Sequence, residues 1–137
     1  MGEANPVEGA GVDRSNSGRR ILIVEDDAEL LECYGDLLGS FGFETRMASD
    51  CEGAWQALQD GKVDVFMCDV YLRASAAFDL IKKAREKFPA LTIVAISGRI
   101  ADDYEADSIA AGANVFMPKP FLLSELITTL RGVESPR

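Results

Sequence analysis

Apolar and polar residues alternate along this chain in blocks that predict five strands, each followed by a helix. Short apolar runs typical of buried strands begin near Ile21, Phe43, Val63, Leu91 and Asn114. In the segments between them, apolar residues recur every three or four positions, which is the pattern of an amphipathic helix. Each interval is long enough for one helix and two short loops, so consecutive strands can run parallel.

Capping residues, glycines and prolines set the expected ends of the helices. The predicted segments are Asp27 to about Ser40, Ser49 to Gly61, about Ala77 to Phe88, about Ala101 to Ala111, and about Leu123 to Arg131. Asp27 is expected to cap the first helix. The sequence Ser-Asp-Cys-Glu at residues 49–52 is a capping-box pattern, so the second helix is expected to begin at Ser49.

Five strand–helix units in succession predict an α/β fold, with a parallel sheet covered by helices on both faces and right-handed crossovers. Strands one, three and four have the most continuous apolar runs and are expected at the centre of the sheet. Residues 1–18 are rich in Gly, Asn, Ser, Pro and Glu, and are predicted to be a disordered tail. Order is expected over residues 19–132, with a short disordered end at 133–137.

Composition narrows the possible partners. A length of 137 residues predicts one domain, and a hydrophobic content of 47% indicates a soluble globular protein. The formal net charge of −9 argues against nucleic acid and anionic membranes as direct partners, because both would repel the protein. No apolar run is long enough to span a bilayer and no secretory signal precedes the first strand, so a cytoplasmic location is expected. Cys33, Cys51 and Cys68 are widely spaced and are expected to be reduced thiols.

Polar side chains occur where the predicted strands end. Glu25 and Asp26 follow strand one, Asp69 ends strand three, Ser97 ends strand four, and Lys119 follows strand five. In open α/β sheets, binding sites form beyond the carboxyl ends of the strands, where the strand order reverses. We therefore expect these five side chains to meet at one edge of the sheet.

Three of these side chains are carboxylates, and no histidine exists in the chain. Carboxylate oxygens suit a hard cation such as Mg²⁺, which keeps several of its waters. A bound cation would also explain why adjacent acidic residues, Glu25 and Asp26, directly follow a buried strand, since like charges side by side are otherwise destabilising.

Four motifs in this order resemble the receiver domain of two-component response regulators. They are IVED after strand one, MCD at the end of strand three, AIS at the end of strand four, and AGANVFMPKPF around strand five. The resemblance covers about residues 19–132. It implies a flavodoxin-like, doubly wound parallel sheet of five strands in the order 2-1-3-4-5, with five helices.

The resemblance implies a role for each residue of the site. Asp69 matches the phosphoacceptor, and Asp26 and Glu25 match the acidic pair, with Asp26 as a direct metal ligand and Glu25 acting through water. The backbone carbonyl of Tyr71 matches the third protein ligand of Mg²⁺.

Further residues match the part of the family that responds to phosphorylation. Lys119 matches the invariant-type lysine of the family, and the Lys119-Pro120 peptide matches one that is cis in the family. Ser97 matches the switch hydroxyl and Phe116 the switch aromatic residue.

The implied function is that of a phosphoacceptor in signal transduction, which catalyses only its own phosphorylation and dephosphorylation. Its partners would be a histidine kinase or histidine phosphotransfer protein and, on the face of helix four, strand five and helix five, a target protein or a second copy. The chain ends within about seven residues of helix five, so a stand-alone receiver or an excised fragment is expected.

Two other functions stay open at the sequence level. A receiver-like module that no longer accepts phosphate is suggested by Arg73 and Ala77, which stand where the family usually has Pro and Gly. A haloacid-dehalogenase-like phosphohydrolase also uses a strand-end aspartate, but its second aspartate would fall at Tyr71.

Overall fold

The computed structural model describes residues 19–70, 74–98 and 104–132, which form alternating strands and helices. The strands are β1 Arg20–Val24, β2 Glu44–Ala48, β3 Val65–Asp69, β4 Thr92–Ser97 and β5 Val115–Pro118. The helices are α1 Ala28–Ser40, α2 Cys51–Leu58, α3 Ala74–Lys87, α4 Tyr104–Ala111 and α5 Leu123–Gly132. The tails predicted at 1–18 and 133–137 lie outside the described residues.

The strands form one parallel sheet in the order β2-β1-β3-β4-β5. This confirms the predicted α/β fold and the predicted central position of β1, β3 and β4. The chain leaves β1 toward β2 and then crosses back to β3, so the strand order reverses between β1 and β3. Ligand sites of doubly wound sheets lie at such a reversal.

The core has two layers because successive side chains of a strand point to opposite faces of the sheet. Leu22 and Phe66 are fully buried on the face covered by α2, α3 and α4, which we call the α2–α4 face. Ile21 and Val65 are fully buried on the face covered by α1 and α5, the α1–α5 face. Burial on both faces explains why the central strands are continuous apolar runs.

The helix starts agree with the sequence at α1 and differ at α2. Asp27 caps α1, as predicted, and its Oδ1 accepts hydrogen bonds from the backbone N–H groups of Glu29 at 3.0 Å and Leu30 at 3.2 Å. The prediction that α2 begins with Ser49 as its cap is wrong. Asp50 is the cap instead, and its Oδ1 accepts a 2.7 Å hydrogen bond from the N–H of Gly53. An aspartate fills this role well because its charge also complements the helix dipole.

The third helix begins at Ala74, three residues before the predicted Ala77. The added residues are alanine and serine, which a helix accepts at little cost, and no glycine or proline stops it there. The helix ends at Lys87, one residue before the predicted Phe88 and two before Pro89. The predicted start of α4 at Ala101 lies outside the described residues.

Two further observations concern the described part of the chain. Cys33, Cys51 and Cys68 are not joined to one another by disulfide bonds. Among the described helices, none is long and apolar enough to cross a membrane.

Arg85 of α3 joins three segments of the chain through its guanidinium group. Nε donates to the carbonyl of Gly112 at 3.0 Å, Nη1 to the carbonyl of Leu91 at 2.6 Å, and Nη2 to Oδ1 of Asn114 at 2.7 Å. These partners are neutral oxygens, and burial lowers the pKa of Arg85 from its usual value. The side chain therefore fixes the end of α4 and the entry to β5 against α3.

Gly112 is required at the end of α4 for two reasons. Its φ of +129° is rarely adopted by residues with a side chain, and a Cβ atom there would lie 2.8 Å from Cβ of Arg85. We predict that Gly112→Ala lowers the free energy of unfolding by about 1–3 kcal/mol. Urea denaturation measures this change.

Gly39 provides the matched control for that substitution. It lies within α1, and a Cβ atom there would meet no heavy atom within 4 Å. Gly39→Ala is expected to be neutral or to stabilise by up to about 1 kcal/mol, because alanine is the better helix former. Equal losses in both variants would contradict the role assigned to Gly112.

Candidate functional site

A buried cluster of charged side chains lies at the carboxyl ends of β1, β3 and β5. Glu25 is 5% exposed and Asp69 is 8% exposed. Nζ of Lys119 lies 2.9 Å from Oδ2 of Asp69 and 3.5 Å from Oε1 of Glu25. One ammonium group therefore serves two carboxylates, and the structure brings together three of the predicted site residues.

Backbone hydrogen bonds at the strand ends fix the two carboxylates. Asp69 is the last residue of β3 and is paired in register with Ile96 of β4. Glu25 extends β1 by donating its N–H to the carbonyl of Ala48, 3.1 Å away. Its Oε2 accepts the N–H of Asp27 at 3.2 Å, so the residue that caps α1 also orients the Glu25 side chain.

Lys119 is placed by β4 as well as by β5. Its N–H donates to the carbonyl of Ser97 at 2.8 Å, and its peptide bond to Pro120 is cis, as the sequence comparison implied. The hydrogen bond from Lys119 to Ser97 continues the pairing of Ser97 with Pro118 one residue beyond the end of β5. The lysine side chain is thereby directed back over the ends of β1 and β3 to Asp69.

Burial and the neighbouring Asp69 change the ionisation of Glu25. Burial, followed by the hydrogen bond to Asp69, raises the pKa of Glu25 to about 7, and the Asp27 N–H and Lys119 only partly oppose this. Burial lowers the pKa of Lys119, but its hydrogen bond to Asp69 and the charge of Asp69 outweigh burial, so the net shift is upward. With both carboxylates ionised, the cluster has an excess negative charge that a bound cation would balance.

Asp26 does not join this buried group, because its side chain is exposed in the turn after β1. In the part of the chain that the structure describes, no three acidic, histidine or cysteine side chains are close enough to hold a metal ion by themselves. The oxygen-only donor set at Glu25 and Asp69 still suits Mg²⁺, which takes few protein ligands and keeps waters. The predicted carbonyl ligand, Tyr71, lies outside the described residues.

The two predicted switch residues lie on neighbouring strands beside the cluster. Ser97 is fully buried at the end of β4, and its Cα is paired with that of Pro118. Phe116 is half-buried on β5 and packs against the core of the α2–α4 face. Two residues after β3 differ from the usual family pattern. Arg73 lies outside the described residues, and Ala77 is a buried residue of α3.

Tyr34 is a neighbour of the site that sequence reasoning placed only on the inner stripe of the first helix. It lines an open cavity of about 420 Å³ together with Leu30, Lys119, Pro120 and Phe121. Burial raises the pKa of its phenol. Only the three-dimensional packing of α1 against the loop after β5 shows this proximity.

Comparison with known proteins identifies the family. Residues 21–131 match the family model of the response regulator receiver domain. The transcriptional regulatory protein CpxR of Klebsiella pneumoniae is 31% identical over 114 residues, which cover 83% of this chain and 48% of that protein. The chain spans between about a quarter and about half the length of the curated relatives it matches.

Solved structures agree on the fold. A CheY-like receiver domain protein from Methanospirillum hungatei aligns with a TM-score of 0.78 at 23% identity, covering 84% of this chain and 92% of that one. A response regulator from Burkholderia pseudomallei aligns with a TM-score of 0.74 at 18% identity, covering 82% of this chain and 66% of that one.

The charge of the cluster leads to a prediction for Glu25→Gln. At pH 8 with metal chelated, this variant should be more stable than the parent by about 1–3 kcal/mol, because it removes a buried charge beside Asp69. The pKa of Glu25 is raised from 4.5 to about 7 by folding. The advantage of the variant should therefore be absent below pH 4.5, grow between pH 4.5 and about 7, and level off above that. Urea denaturation across this pH range measures it.

Glu32→Gln is the control, because Glu32 is exposed in the middle of α1. It should change stability little and with no such pH profile. A Glu25→Gln variant that is less stable than the parent at pH 8 in chelator would contradict this account of the cluster.

Proposed function

Because the chain belongs to the response regulator receiver domain family, we propose that it is a phosphoacceptor signalling domain. In this proposal Asp69 receives a phosphoryl group from a histidine kinase or a histidine phosphotransfer protein. The observation that carries it is the 2.9 Å contact between Nζ of Lys119 and Oδ2 of Asp69, at a carboxylate that is 8% exposed. A carboxylate held in this way is positioned as a nucleophile without being left uncompensated.

In the proposed transfer, a carboxylate oxygen of Asp69 attacks phosphorus and forms an acyl phosphate. The bond from phosphorus to the histidine nitrogen of the donor breaks, and the imidazole leaves with the electron pair. Lys119 offsets the negative charge that the phosphoryl group brings. The domain is proposed to catalyse only this transfer and the later loss of its own phosphate.

Mg²⁺ is the proposed cofactor, held by Asp69 and Asp26, by Glu25 through water, and by the backbone carbonyl of Tyr71. When bound, it would supply positive charge for the phosphoryl oxygens. The excess negative charge at Glu25 and Asp69 supports this assignment. The response regulator from Burkholderia pseudomallei contains a phosphorylated aspartic acid and a calcium ion, which is in keeping with it.

We further propose that phosphorylation acts through Ser97 and Phe116. Ser97 would donate a hydrogen bond to a phosphoryl oxygen, an interaction made only in the phosphorylated state. The adjoining α4 is weakly anchored: it has eight residues, and the fully buried hydroxyl of its Ser108 has no hydrogen-bond partner among the described residues. The face formed by α4, β5 and α5 would then bind a target protein or a second copy.

Intact-mass spectrometry tests the nucleophile. After incubation with acetyl phosphate and Mg²⁺, the parent should gain one phosphoryl group and Asp69→Asn none, because the amide is not a nucleophile of this kind. Asp79→Asn, an exposed residue of α3, is the matched control and should be labelled like the parent. A parent that stays unlabelled would favour a receiver-like module that no longer accepts phosphate, and labelling of Asp69→Asn would refute the assignment.

Hydrogen exchange tests the switch. With a stable phosphoryl mimic such as beryllium fluoride bound, amide exchange should change in α4 and β5 as well as around Asp69, since a weakly anchored helix needs little free energy to shift. The Asp69→Asn protein treated in the same way is the control. Changes confined to the immediate surroundings of Asp69 would overturn the proposed output face.

A further inference from the structure

The outer edge of β2 is a second surface with defined chemistry. Within the described sheet β2 is an edge strand, paired only with β1. The N–H of Glu44 donates to Arg19 at 2.9 Å, and the carbonyl of Ala48 accepts from Glu25 at 3.1 Å. Alternate residues of a parallel strand bond to the same neighbour, so residues 44, 46 and 48 face β1.

The backbone groups of Thr45 and Met47 consequently point away from β1. Each offers an N–H and a carbonyl at the edge of the sheet, which is the arrangement that another strand can extend. The edge strand contains neither lysine nor proline, the residues that commonly prevent such pairing.

Charges of alternating sign cross the sheet near this edge on the α2–α4 face. Nε of Arg20 lies 3.1 Å from Oδ2 of Asp64, and Arg20 is paired in register with Glu44 of β2. Two residues further along β2, Nη1 of Arg46 lies 2.7 Å from Oδ2 of Asp60. The edge strand therefore presents a negative and a positive side chain on one face, separated by Thr45.

We propose that two copies of this chain pair along β2, antiparallel, about a two-fold axis at Thr45. The two Thr45 residues would exchange both backbone hydrogen bonds. Glu44 of each copy would then lie directly opposite Arg46 of the other, twice by symmetry, and the two sheets would become one continuous sheet. The row of charges would continue across the junction with alternating sign.

The charges select this register over its neighbour. An axis at Arg46 would place the two arginines opposite each other in a pair without hydrogen bonds, where like charges would approach most closely. With the axis at Thr45, the Glu44–Arg46 pairs occupy positions without hydrogen bonds, where opposite side chains approach most closely.

The α1–α5 face of the same edge is apolar. Met47 is 50% exposed, and Leu37 and Phe41, at the end of α1 that leads into β2, are each 38% exposed. In the proposed pair Met47 would lie opposite position 43 of the second copy, so that part of this apolar surface would be covered. The interface is separate from the α4–β5–α5 face and does not depend on phosphorylation.

Sedimentation equilibrium over a range of concentrations tests the proposal. The parent is expected to dimerise, and Asp69→Asn to dimerise equally, which separates this proposal from the proposed function. Glu44→Arg and Arg46→Glu should each weaken dimerisation at least about tenfold, because each places like charges opposite each other in both symmetry-related pairs. The double variant Glu44→Arg/Arg46→Glu should restore it.

Two more variants serve as controls for the dimerisation experiment. Glu86→Arg makes the same charge change as Glu44→Arg at an exposed residue of α3 and should leave dimerisation unchanged. Thr45→Pro removes an N–H that β1 does not use, so the monomer should fold while the dimer is lost. Three results would each overturn the proposal. The parent could be monomeric up to about 1 mM, the dimer could persist in the single-charge variants and in Thr45→Pro, or the double variant could fail to restore dimerisation.

Discussion

The ion pair between Lys119 and Asp69 is what allows two carboxylates to lie buried at the carboxyl end of the sheet. Burial alone would favour the neutral form of Glu25, and the ammonium group of Lys119 supplies the positive charge that the buried pair needs. The lysine reaches this position because β5 pairs with β4 up to the carbonyl of Ser97. The charge balance of the site thus depends on the pairing of β5 with β4 at the edge of the sheet opposite β2.

The positive and negative charges of the site do not balance, because one ammonium group faces two carboxylates. The effect is seen at Glu25, whose pKa is raised to about 7 by burial and by the hydrogen bond to Asp69. A site in this condition favours any ligand that adds positive charge. Under the proposed function, binding a phosphoryl group would be costly until that charge is present, so cofactor binding and phosphorylation would be coupled.

Sequence reasoning predicted the fold well because the two strand faces and the helix stripes follow simple periods. It also predicted that Glu25, Asp69 and Lys119 lie together, because the carboxyl ends of parallel strands meet at one edge of the sheet. It failed where two neighbouring residues can both cap a helix: Ser49 and Asp50 are both suitable, and Asp50 is the cap in the structure. It did not place Tyr34 beside Lys119, because that proximity depends on how α1 packs and has no signal along the chain.

The hydrogen bonds of Arg85 have a mechanical consequence for α4. Its C-terminal end is held to α3 through the carbonyl of Gly112, whereas near its N-terminal end Tyr104 makes an edge-on ring contact with Phe78, with ring centroids 5.8 Å apart. The two rings can shift against each other and stay in contact. The guanidinium group of Arg85 cannot shift in this way without breaking its hydrogen bonds. We therefore expect any displacement of α4 to be larger at its N-terminal end, which follows β4, than at Gly112.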